Sequence, residues 1–136
     1  MLDRVRGRWL MLAVLLVIPA CGKKSDAGHQ SRDTPSTPES ELKDVADILR
    51  LLASEGKRPP AEVQEMLDAT ADPAPGINSV KEGRIVMNWG AGIVTGSSAI
   101  LAYDRNVPQD GGLVLLQDGT IKKMTSAEFQ SAPKAR

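Results

Sequence analysis

The chain has 136 residues, with 17 lysines and arginines against 17 aspartates and glutamates, one cysteine and one histidine. That length holds one modest domain. No run of basic residues exceeds a pair after the first ten positions, which argues against nucleic acid as a partner, and one cysteine with one histidine excludes an internal disulfide and a zinc site built without carboxylates.

Residues 1–20 combine a charged start (Asp3, Arg4, Arg6, Arg8), an apolar run from Trp9 to Ile18 and the small-residue stretch Pro19-Ala20 before Cys21. This is the layout of an exported signal. Ten apolar residues rise about 15 Å as a helix, half of a ~30 Å hydrocarbon core, so the run is too short for a permanent anchor. Removing it leaves residues 21–136 slightly acidic, with 14 basic and 16 acidic groups.

Ile18-Pro19-Ala20-Cys21 resembles the lipobox of bacterial lipoproteins, with Pro19 where the family usually has Ala, Ser or Thr. The resemblance implies cleavage after Ala20 and lipid on the Cys21 thiol, with a further acyl chain on its amine. Two or more chains make anchoring stable where one is reversible. The alternatives are an ordinary signal peptide cut after Ala20 and a buried helix of the mature fold; the basic flank fits export better than the latter. Gly22, in the place where Asp would retain a lipoprotein at the inner membrane, favours the outer membrane.

Residues 21–36 follow as the lipidated Cys and a tether: Gly22 to Ser36 has no aliphatic side chain larger than Ala and is expected to be disordered. His29 lies in that tether with no ordered neighbour to orient it, and is discarded as a ligand or base.

Thr37-Pro38-Glu39 starts a helix over 38–54: Thr37 caps, Pro38 suits the first turn, and Glu39 and Glu41 favour the positive dipole end. Leu42, Val45, Leu49 and Leu52 form its apolar stripe. Gly56 closes it in a left-handed cap and Pro59-Pro60 prevents continuation. Residues 60–70 read as a shorter helix with Val63, Met66 and Leu67 inward, ended by the breaker Asp72-Pro73-Ala74-Pro75-Gly76.

Beyond a turn at Lys81-Glu82-Gly83, the period becomes two. Strands are expected over 84–89, 100–103 and 113–117. Asp118-Gly119 predicts a two-residue type I′ hairpin pairing Leu116 with Ile121 and Leu113 with Met124, apolar on both faces, one of them packed on helix 38–54. Ser126 is expected to cap a terminal turn through Phe129, which closes the core edge. The fold class expected is α+β: an amphipathic N-terminal helix on a small antiparallel meander, a single domain over 37–131, with 132–136 a disordered tail.

The stretch from Ala102-Tyr103-Asp104 through Gly111-Gly112, Leu113 to Ile121 and Thr125-Ser126-Ala127-Glu128-Phe129 resembles the C-terminal hairpin of prepilin-type and pseudopilin-like proteins. The lipobox places the apolar run before the cut, so this resemblance implies a lipid-anchored relative of the globular head rather than a filament subunit. It also makes calcium the one cofactor to consider, with Asp104, Asn106, Asp110 and Asp118 as oxygen donors. Their spacing is not that of an EF-hand.

Gly90-Ala91-Gly92-Ile93-Val94-Thr95-Gly96 lacks the Lys-Ser/Thr of a phosphate loop and the helix of a dinucleotide fingerprint. It reads as a flexible connection and contact loop, with Gly90, Gly92, Thr95 and Ser97 as its candidate residues. Ser97, Ser98 or Thr95 as a nucleophile would need a base, with only carboxylates such as Asp104, Asp110 and Glu128 or a lysine to supply it. Trp89, Tyr103 and the methionines read as core rather than a binding cage. The expected function is a non-enzymatic, lipid-anchored envelope protein making protein contacts, an interaction or accessory module with a secretion or pilus-like assembly as its expected setting; the alternative is a periplasmic or surface module for a small ligand or ion.

Overall fold

The structure is a computed structural model that describes residues 35–136. The leader 1–20, Cys21, His29 and the tether as far as residue 34 lie outside the described residues. Helix α1 spans Pro38–Ser54, as its sequence predicts. Thr37 Oγ1 accepts from the Ser40 N–H while Ser40 Oγ accepts from the Thr37 N–H, a reciprocal cap that satisfies two otherwise orphaned donors. At the other end Gly56 has φ +68, and the N–H groups of Gly56 and Lys57 donate to the Ala53 and Leu52 carbonyls. That is the paired closure a left-handed residue allows.

Helix α2, Val63–Asp68, is shorter than expected and buries Met66. A third helix, α3 at Pro75–Lys81, stands where the sequence reads as breaker and turn. Pro75 occupies its first turn, where a proline costs no hydrogen bond. Gly76 lets α3 cross α1 closely: a Cβ there would collide with the Glu41 carbonyl and lie 2.7 Å from Asp44 Cβ. The Gly76 N–H donates to Asp44 Oδ2 at 3.0 Å.

The sheet is a meander in chain order, β1 Ile85–Met87, β2 Ile100–Asp104, β3 Gly112–Leu116 and β4 Ile121–Met124, all antiparallel. The α+β class is therefore as expected. A bulge at Leu101, between the pairs Ile100↔Leu116 and Ala102↔Leu115, turns Ile100 to one face and both Leu101 and Ala102 to the other. Two short helices missed in the sequence or shifted from it complete the fold: α4, Val107–Asp110, and α5, Ser126–Ser131.

Both faces of the sheet are covered. On one, Leu42, Val45 and Leu49 of α1, Met66 of α2 and Ile77 and Val80 of α3 pack on Ile85, Met87, Leu101 and Leu115. On the other, Val107 of α4 and Phe129 of α5 pack on Ile100, Val114, Leu116 and Met124, with Tyr103 tilted against Phe129 at 4.6 Å between ring centres. Each fully buried aliphatic side chain contributes roughly 1.5–3 kcal/mol of transfer free energy.

Three expectations are corrected. The hairpin pairs Leu115 with Ile121 and Gly112 with Met124, one residue out of the predicted register. The Gly119 N–H donates to the Leu116 carbonyl and the Leu116 N–H to that of Thr120, with Gly119 at φ +87. This is a three-residue connection closed by a glycine bulge, a loop that Asp-Gly suits as well as the two-residue turn. Thr125, not Ser126, caps α5, in a reciprocal box with Glu128, while Ser126 Oγ donates to the Pro108 carbonyl. Finally, residues 132–136 are not a free tail. Ile100 N–H donates to the Pro133 carbonyl at 2.8 Å and Ala135 N–H to that of Ile100 at 2.9 Å, burying Ala135. Lys134 Nζ sits 4.0 Å from the Phe129 ring centre and donates to the Phe129 and Ala132 carbonyls at the end of α5.

Candidate contact surface

The loop joining β1 to β2 holds Gly90, Gly92, Thr95 and Ser97 on one continuous segment. Asn88 bends the chain out of the sheet, its N–H donating to the Leu101 carbonyl and its Nδ2 to that of Ile100. Gly90 N–H then donates to the Pro60 carbonyl at 3.0 Å, and a Cβ on Gly92 would lie 2.8 Å from Pro59 Cγ. The loop thus lies flat on the connection after α1, and the absence of a side chain at 92 is what permits the approach.

Its far end is bound to the hairpin tip. Val94 N–H donates to the Gln117 carbonyl at 2.7 Å, Gln117 N–H to that of Ala99 and Asp118 N–H to that of Ser97. Ser97 N–H closes a turn on the Val94 carbonyl, and Ser97 Oγ donates to Gln117 Oε1 at 2.8 Å. The segment read as a flexible connection is therefore pinned along both ends, a ridge that presents Val94, 50 % exposed, and the exposed Thr95. Beside it a hollow of about 300 Å³ lies among Leu49, Leu52, Ala53, Pro59, Gly92 and Ile93. A fixed, partly apolar ridge next to a hollow of mixed lining, which Lys57 also borders, can seat a protein side chain with little ordering cost.

The carboxylates considered for catalysis or calcium are not brought together as a set. Asp104 and Asp118 stand at opposite ends of the five-residue β2–β3 pairing, about 13 Å of strand apart. Each serves its own turn: Asp104 Oδ1 accepts from the Asn106 N–H at 2.9 Å and Asp118 Oδ1 from the Thr120 N–H at 2.8 Å. The latter bond holds the Asp118 carboxyl below its usual range. Glu128 accepts the Thr125 N–H and hydroxyl, which lowers its pKa in the same way. It shares a shallow hollow with Asp110, remote from Ser97 at the hairpin tip. Among the described residues no group of three or more His, Cys, Asp or Glu side chains is placed to hold a metal ion.

A polar cluster that the sequence reading missed lies where α1 begins. Glu41, taken as a dipole partner, is buried, and its Oε1 accepts from Ser36 Oγ at 2.8 Å and Arg84 Nη1 at 2.9 Å. Burial by itself would raise its pKa; the Ser36 hydroxyl and the Arg84 guanidinium outweigh that and hold it low. Arg84 also binds Glu82 through Nε. The available signal was position: Glu41 adjoins Leu42 and precedes Val45 by four, on the apolar side of α1.

Among the described residues no helix is long and apolar enough to cross a membrane. No family model matches the chain, and no curated protein or solved structure matches it.

Proposed function

We propose that the chain is a non-enzymatic cell-envelope lipoprotein, anchored through lipid on Cys21 after cleavage behind Ala20, whose α+β head makes protein contacts. The observation that carries this reading is Ile18-Pro19-Ala20-Cys21 placed directly after an apolar run with a basic start. The outer membrane is the favoured location because Gly22 follows the cysteine. The C-terminal resemblance to pseudopilin-like heads favours an accessory role in a secretion or pilus-like assembly. Support for contact through the 90–98 ridge comes from its pinned backbone and from Val94 at its exposed surface.

The test compares the intact chain with Cys21→Ser and Val94→Asp by membrane fractionation after crosslinking in cells. The intact chain is expected in the membrane fraction with one defined crosslinked envelope species. Cys21→Ser moves to the soluble fraction, and Val94→Asp stays in the membrane but loses the crosslink. Membrane retention of Cys21→Ser overturns the anchor, and an unchanged crosslink in Val94→Asp overturns the ridge.

A further inference from the structure

We draw no further inference here: the strongest candidate, the polar hollow of about 200 Å³ between Ser36, Glu41, Arg84, Asp104 and Arg105 at the start of α1, carries nothing because its buried carboxylate is already satisfied by Ser36 and Arg84 and no observation among the described residues points to a ligand for it.

Discussion

Arg84, one residue before β1, donates through Nη1 to both carboxylate oxygens of Glu41 on α1, at 2.9 and 3.2 Å, across 43 residues of sequence. The bond ties the first helix to the first strand. It is also unequal: the Glu41 side chain is 7 % exposed and that of Arg84 47 %, so the carboxylate bears most of the desolvation.

The hydrogen bonds and the guanidinium charge that outweigh this burial give a pH dependence. The folded pKa of Glu41 lies below its ordinary 4.5, so the unfolded chain takes up this proton first as pH falls. The stability contributed is complete above the ordinary value and is lost as pH drops through the folded one. Glu41→Gln is expected to lower stability by about 1–2 kcal/mol at neutral pH and to flatten the acid-side decline. Urea denaturation at neutral and acid pH measures both effects. An acid slope identical to the parent's would show that Glu41 is not its source.

At Gly76 the expected cost is purely steric, since its backbone is helical and alanine is otherwise the better helix former. Gly76→Ala should lose about 2 kcal/mol by forcing α3 away from the Glu41 carbonyl. Gly83→Ala is the companion measurement: Gly83 has φ +71 and open space around it, so roughly 1 kcal/mol of backbone strain is all that is at stake. Equal melting temperatures for the two variants would contradict the tight crossing.

The hairpin register is open to a direct check. Gly119→Ala should cost about 1–2 kcal/mol, because φ +87 disfavours any side chain and a Cβ would displace the Arg50 guanidinium that donates to the Gly119 carbonyl. Asp118→Ala should cost less. Side-chain NOEs between Leu115 and Ile121 are expected; finding them instead between Leu116 and Ile121 would restore the two-residue turn.

How far these features could be read from sequence varied with how local their causes are. For α1, the cap, the proline, the stripe and Gly56 lie within twenty residues and agree, so the helix was legible to its ends. The seven residues of α3 are too few to show a period, and Gly76 reads as a breaker until the backbone of Glu41 is known to lie against it. The register turned on a tertiary choice: Asp-Gly fits both loops, and the slip places Ile121 beside Leu115 on the face packed by α1. The loop at 90–98 was legible from its glycines. Its fixity was not, because the groups that pin it belong to Pro60 and Gln117.

Deleting residues 133–136 should cost about 2 kcal/mol, the sum of two backbone hydrogen bonds and the burial of Ala135. Amide exchange at Ile100, whose N–H donates to Pro133, should accelerate beyond what the global loss accounts for. Unchanged protection at Ile100 would leave the tail a passenger.

The meander ends in an open edge at β4, whose outward N–H and C=O groups could template a foreign strand. Its two central residues are Lys122 and Lys123, both exposed. Because successive side chains alternate, one ammonium guards each face of that edge, and a strand approaching from either side would have to strip water from a charge before its first ladder bond formed. The dilysine thus serves as a built-in deterrent to edge-to-edge aggregation, a role that tolerates arginine or glutamate but not a pair of valines.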